Sequence, residues 1–286
     1  MTSSKFFFFL LILLSAVKLR AAGADSIYYP ELNKAYGKSY WYHSKAFVVS
    51  PAKWELKQWL GFGVVSGAGI LTYSQDEKIQ EFFTDHQSAT ADNFSKYVFE
   101  PFGRFSPVLV GGLYLTGRLV KDKRLAGTSL TAAKSLAVAG LIGGVVKQLT
   151  HRHRPYQDDI PNHANWDGPF SDIHYNSFPS GHSTAAFSMA TVFAMEYRST
   201  IWVPALAYTL AAGTAVSRLY DNKHWASDVV IGSALGFVTG RFMWKQSQGN
   251  HKKVMVVPSA GANSASLTFI IAIAEPYLIK ICFKGL

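Results

Sequence analysis

The chain has 286 residues, 49% of them hydrophobic, and a formal net charge of +10. Its length suits one domain with a large core or a small membrane bundle, although a mean hydropathy of +0.09 is modest for repeated bilayer crossing. The charge asks for an anionic partner. With no zinc-ligand spacing, basic heptad helix or RNA-binding aromatic signature, that partner is read as phosphate or anionic lipid and not nucleic acid; the lone Cys282 excludes an internal disulfide and disfavours a cysteine metal site.

Taken in order, the chain starts with Lys5 and an apolar run, Phe6–Val17. Ala22-Gly23-Ala24 follows as a small-residue cleavage site, so residues 1–24 read as a signal peptide. Residues 25–58 form an N-terminal strap with Tyr36, Tyr40, Trp41, Tyr42 and Trp54. It is either a helix lying on the bundle or an interfacial aromatic belt. Residues 59–250 form the bundle. Apolar runs predict six helices there, over Trp59–Tyr73, Phe105–Val120, Ala132–Leu149, Ser183–Met195, Thr200–Val216 and Val229–Trp244. All are rich in small residues, which let helices approach closely in a membrane bundle or a buried soluble one. Residues 74–104 read as a long acidic loop with a helix at Asp76–Thr84. Residues 156–178 read as a second loop, a flexible lid holding Asp158, Asp159, Asp167 and Asp172. The tail, 251–286, alternates weakly around Pro258–Gly261 and allows a short β-hairpin. The expected fold is therefore all-α, an up-and-down bundle of about six helices.

Three stretches carry chemistry. Lys147 and Arg154 stand seven apart, two helical turns, so they share a face before Pro155 breaks the helix. Two such cations can grip phosphate oxygens, Arg154 bidentately. Pro179-Ser180-Gly181-His182 opens the next helix. Its free N–H groups and dipole favour an anion, Gly181 allows close backbone approach, and Ser180 can donate its hydroxyl. Ser217-Arg218-x5-His224-x3-Asp228 supplies a third cation and a histidine one turn from a carboxylate. That carboxylate can accept the Nδ1–H of His224 and leave Nε2 free to attack phosphorus. Each stretch alone has a bland reading: a solvated basic helix end, an ordinary helix cap, a structural hydrogen bond. His151, Arg152 and His153 read as structural or solvent-facing. In an up-and-down bundle the helix ends bearing all three stretches fall at the same end.

Together, in this order and spacing, the three stretches resemble the signature of the type 2 phosphatidic acid phosphatase superfamily, over roughly residues 105–245. That superfamily includes lipid phosphatases, bacterial non-specific acid phosphatases and vanadium haloperoxidases. The resemblance implies phosphate held by Lys147, Arg154, Ser180, Gly181 and Arg218. It implies a phosphohistidine on His224 oriented by Asp228, His182 as proton donor beside the leaving group, and no metal or other cofactor. The expected substrate is a phosphorylated lipid at a membrane. A soluble periplasmic acid phosphatase is the alternative and a haloperoxidase a more remote one.

The resemblance places the protein in the bacterial cell envelope, in the inner membrane or periplasm. The end opposite the motifs carries Arg118, Lys121, Lys123, Arg124, Arg198 and Lys245, so the positive-inside rule turns the site away from the cytoplasm. A cleaved signal followed by six full crossings would put the site on the other side. Either the Trp59–Tyr73 segment does not cross, the first apolar run does not translocate the chain, or the whole bundle is exported.

Overall fold

The computed structural model describes residues 29–248 other than 170 and 173, and the backbone of three strands beyond them. The expected signal peptide lies outside the described residues. The chain divides into two units, one ending at Ser247 and one beginning at Gln248.

The first unit is helical. Its strap is a helix, α1 (Lys34–Val49), capped by the Asn33 side chain on Tyr36 N–H at 2.9 Å, with a 3-10 turn at Ser50–Lys53. The Tyr36 hydroxyl donates to the Leu130 carbonyl at 2.8 Å, fastening α1 to the bundle, while Trp41 and Tyr42 face outward. Next come α2 (Leu56–Tyr73), opened by a reciprocal Glu55–Gln58 capping box, and α3 (Asp76–Asp85). The 74–104 loop is more ordered than its acidic sequence suggests. It also contains α4 (Ala89–Phe94), a π-turn (Ser95–Phe99) and α5 (Glu100–Arg104).

The main bundle follows: α6 (Ser106–Leu119), α7 (Lys123–Thr150), α8 (Gly181–Glu196), α9 (Trp202–Tyr220) and α10 (Ala226–Ser247). All six expected helices are present. The largest boundary error is at α7, which begins at Lys123 and not at Ala132. Residues 123–131 look polar, yet Leu125 to Thr131 are buried. The hydroxyls of Thr128, Ser129 and Thr131 bond back to the carbonyls of Arg124, Leu125 and Gly127, so they need no water. Asp122 caps this helix on Leu125 N–H at 2.9 Å, and His151 ends it in the left-handed region at φ 40°.

Glycines on α10 set how the helices meet. A Cβ at Gly232 would lie 2.6 Å from the Ser180 carbonyl, at Gly236 2.3 Å from the Thr184 carbonyl, and at Gly240 2.7 Å from the Ser188 carbonyl. Thus α8 and α10 touch backbone to backbone along three turns, an approach that only glycine permits. This contact places the mouth of α8 against the first turn of α10, where Ser180 N–H donates to the Asp228 carbonyl at 3.0 Å. The core is built from Phe102, Leu109, Val110, Met189 and Leu210 around small alanines. Much of the outer surface is apolar as well: Trp59, Leu60 and Phe62 on α2, Val108 and Leu115 on α6, and Leu141 and Val145 on α7 are exposed. Among the described residues, only α7 is long and apolar enough, by length and composition, to cross a membrane.

The second unit is an antiparallel three-stranded meander: β1 (Lys253–Gly261), β2 (Ser264–Ala272) and β3 (Leu278–Lys284). The expected hairpin thus gains a third strand. Pro258–Gly261, around which the alternation is centred, belongs to β1, where Pro258 pairs with Leu267. As an edge strand, β1 tolerates the missing proline N–H.

The glycine contact gives a direct test. Gly236→Ala forces α8 and α10 apart and should destabilise the protein by about 1–3 kcal/mol in denaturant titration. Gly140→Ala, on α7 where a Cβ meets nothing within 4 Å, should be neutral or stabilising by up to about 1 kcal/mol.

Candidate active site

The bundle places Lys147, Arg154, Ser180, Gly181, His182, Arg218, His224 and Asp228 at one end. Lys147 lies in the last turn of α7, and its ammonium donates to the main-chain carbonyls of Asn176 and, at 3.4 Å, Ser177. Carbonyls hold this cation without neutralising it. Arg154 donates to the Asn176 side-chain oxygen at 2.7 Å, while its buried Nε has no protein partner. Both cations of the first stretch therefore hang from the segment just before Pro179.

Ser180 precedes α8, but its hydroxyl does not cap the helix. It accepts instead from Ser183 Oγ at 3.0 Å, so its own proton remains to be donated. The first amides of α8 thus lack both a carbonyl of their own helix and a side-chain cap, which disfavours the ordinary-cap reading. Gly181 is exposed, and a Cβ there would come no nearer to protein than 4.0 Å, from Lys147 Cε. Protein packing does not require that glycine. The Nε2 atom of His182 is buried without a partner, and the ring is within electrostatic reach of Arg218, His224, Arg154 and Arg104. Arg218 is buried at the end of α9 and paired with Asp221 at 2.6 Å, with Glu100 at 4.0 Å.

His224 sits in the loop between α9 and α10, 4% exposed, within reach of the Lys147 and Arg154 charges. Burial pushes its pKa down to about 4 against the pull of Asp228, so the ring is neutral at pH 7. The expected direct hydrogen bond to Asp228 is not formed. Nδ1 is 3.7 Å from Asp228 Oδ2 and 3.3 Å from the hydroxyl of Ser177. Ser177 in turn donates to Asp228 Oδ2 at 2.5 Å.

Asp228 is occupied elsewhere because of Arg152. Read from the sequence as structural or solvent-facing, Arg152 is 0% exposed and structural. Its guanidinium donates to Asp228 Oδ1 at 2.5 Å, Asp76 Oδ2 at 2.7 Å, Ser227 Oγ at 2.8 Å and the His163 carbonyl. The rings of Tyr73, Trp166 and Trp225 lie 4.7–5.5 Å from it. Asp76, counted from sequence among the loop acids, is buried at the start of α3. There it also accepts from Ser227 N–H at 2.8 Å, at the N-terminus of α10. Neither Asp76 nor Arg152 is marked by spacing; only three-dimensional proximity reveals the pair. Described residues of the 156–178 loop are likewise bonded to their surroundings. His153 bonds Asp158 at 2.7 Å, lies 3.3 Å from Asp167 and stacks on Tyr175 at 3.8 Å. Among the described residues no cluster of His, Cys, Asp and Glu fits a metal ion.

Known proteins resemble this chain over the stretch that carries these residues. The PAP2 superfamily model matches residues 128–252. A lipid A 1-phosphatase of Porphyromonas gingivalis is 34% identical over 60% of this chain and 35% of its own length. A decaprenylphosphoryl-5-phosphoribose phosphatase of Mycobacterium tuberculosis is 32% identical over 53% of this chain and 76% of its own. An undecaprenyl-diphosphatase of Sulfolobus acidocaldarius is 27% identical over 49% and 66%. The chain therefore spans about a third of the Porphyromonas protein.

Two outcomes follow from the site's electrostatics. Arg152→Met strands two buried carboxylates and should cost about 3–5 kcal/mol in denaturant titration; unchanged stability would contradict the burial of the pair. Because the folded pKa of His224 lies below its unfolded value of about 6.5, the unfolded chain takes up that proton first. Stability should fall as pH drops from 6.5 towards 4, and His224→Gln should lose less over that window when melting temperature is followed against pH.

Proposed function

The chain belongs to the PAP2 superfamily, and from that membership we propose that it is a phosphatase that removes a phosphate or diphosphate from a lipid through a phosphohistidine on His224. The observation that carries this reading is the gathering of three cations, an uncapped helix mouth and a neutral buried imidazole at one end of the bundle.

A phosphoryl group reacts mainly under positioning and charge neutralisation. Lys147, Arg154, Arg218, the Ser180 hydroxyl and the amides beginning at Gly181 hold its oxygens. With no Cβ at Gly181, an oxygen can approach the backbone there. Nε2 of His224 attacks phosphorus in line, and the bond to the leaving oxygen breaks. His182, unbonded at Nε2, gives that oxygen a proton. The bound phosphate supplies the negative charge that lets His182 hold this proton among so many cations. Water then attacks the phosphohistidine, His182 accepts its proton, and inorganic phosphate leaves. Asp228, 3.7 Å from Nδ1, acts on the His224 ring by its charge and not by a direct hydrogen bond. Charge neutralisation falls to side chains, so the reaction proceeds without a divalent metal.

The lipid part of the reading rests on the apolar outer faces of α2, α6 and α7, which suit contact with acyl chains. It is also suggested by the three relatives named above, whose names specify lipid-linked phosphates. On this reading the protein sits in the bacterial envelope membrane with its site facing away from the cytoplasm.

Purified protein should hydrolyse phosphorylated lipids in detergent and in excess chelator. His224→Ala should lower turnover by at least about a thousandfold while melting at a similar temperature above pH 7. Substantial residual turnover would refute the nucleophile, and complete loss in chelator the metal-free chemistry. His182→Ala should slow poor leaving groups far more than good ones; equal slowing would reassign it to binding. A mature chain that stays in the aqueous phase without detergent would favour a soluble acid phosphatase.

A further inference from the structure

Hydrogen bonds around Asp228 point to a residue that the three-part signature does not contain. Oδ1 of Asp228 accepts from Arg152, and Oδ2 accepts from the Ser177 hydroxyl at 2.5 Å and the Trp225 N–H at 3.0 Å. His224 Nδ1, 3.7 Å from Oδ2, is beyond hydrogen-bond reach of the carboxylate. A serine has one proton to give. Ser177 gives it to Asp228, so its remaining interaction with Nδ1, at 3.3 Å, can only be as acceptor. The ring nitrogen facing it must then carry the hydrogen, and Nε2 must be bare.

We propose that Ser177 is a positioning residue that relays the negative charge of Asp228 to His224 and fixes the imidazole as its Nδ1–H tautomer. Ser177 is 0% exposed and held on both sides. Its N–H donates to the Arg152 carbonyl at 2.9 Å and its own carbonyl receives Lys147 at 3.4 Å. One residue thus links the first stretch, through its backbone, to the third, through its hydroxyl. The neutral hydroxyl reaches the ring where the carboxylate, pinned by Arg152, does not. This deepens the reading of His224 as nucleophile and rests on it, because a misplaced proton on Nε2 would block attack on phosphorus.

The test is Ser177→Ala, read by kinetics and by nitrogen-15 spectra of the histidine rings, with His224 assigned by its loss in His224→Ala. In the unsubstituted protein at pH 7, His224 should show a protonated Nδ1 and an unprotonated Nε2. In Ser177→Ala the Nε2–H form should appear, with kcat lowered about 10–100-fold and KM changed less than about twofold. An unchanged tautomer overturns the relay whatever happens to kcat, as does an unchanged kcat. If Ser177→Ala does not fold, Ser177→Thr decides. It keeps the hydroxyl, so it should keep the tautomer and kcat within about threefold, and loss of the tautomer there overturns the proposal. Turnover surviving in His224→Ala would sink the nucleophile reading instead, leaving the tautomer result to judge Ser177 separately.

Discussion

A single buried guanidinium holds the motif-bearing end of this bundle together. Arg152 lies out of solvent between the carboxylates of Asp76 and Asp228, roofed by Tyr73, Trp166 and Trp225. Such a charge is costly to bury alone and tolerable only when its partners are fixed. Those partners come from three parts of the chain: the start of α3, the start of α10 and, through the His163 carbonyl, the 156–178 loop. Satisfying Arg152 therefore assembles them. The same demand fixes the rotamer of Asp228 and decides what remains for His224.

The second constraint is the glycine contact of α10 with α8. It brings the helix mouth at Gly181 against the turn that carries Asp228. Main-chain carbonyls then do quiet work. Those of Asn176 and Ser177 orient Lys147 while leaving its charge available, so the positive field stays open to an anion. Lys147 and Arg154 are thus set against neutral acceptors, and Arg218 has Asp221 alone at close range.

Much of this was legible in the sequence. Apolar runs located all six main helices, and the parity of an up-and-down bundle predicted that Lys147, Gly181, Arg218 and His224 would meet. What could not be read depends on side chains that break local expectation. Leu125–Thr131 looked polar, but its hydroxyls are satisfied by its own helix. Asp76 resembled its acidic neighbours because nothing local distinguishes a buried carboxylate from a solvated one. Ser177 lay in plain view beside the Pro179–His182 stretch. Its role appears only once Arg152 is seen to draw Asp228 away from the imidazole.

The proposed chemistry requires one phosphate to touch all of these groups at once. An oxyanion complex measures that directly: a crystal structure of the protein soaked with vanadate, a mimic of phosphorus under in-line attack. Vanadium bonded to His224 Nε2, with its oxygens contacted by Lys147, Arg154, Arg218 and the amides at Gly181, is the predicted result. Vanadate bound elsewhere, or bound here without reaching the His224 ring, would contradict it.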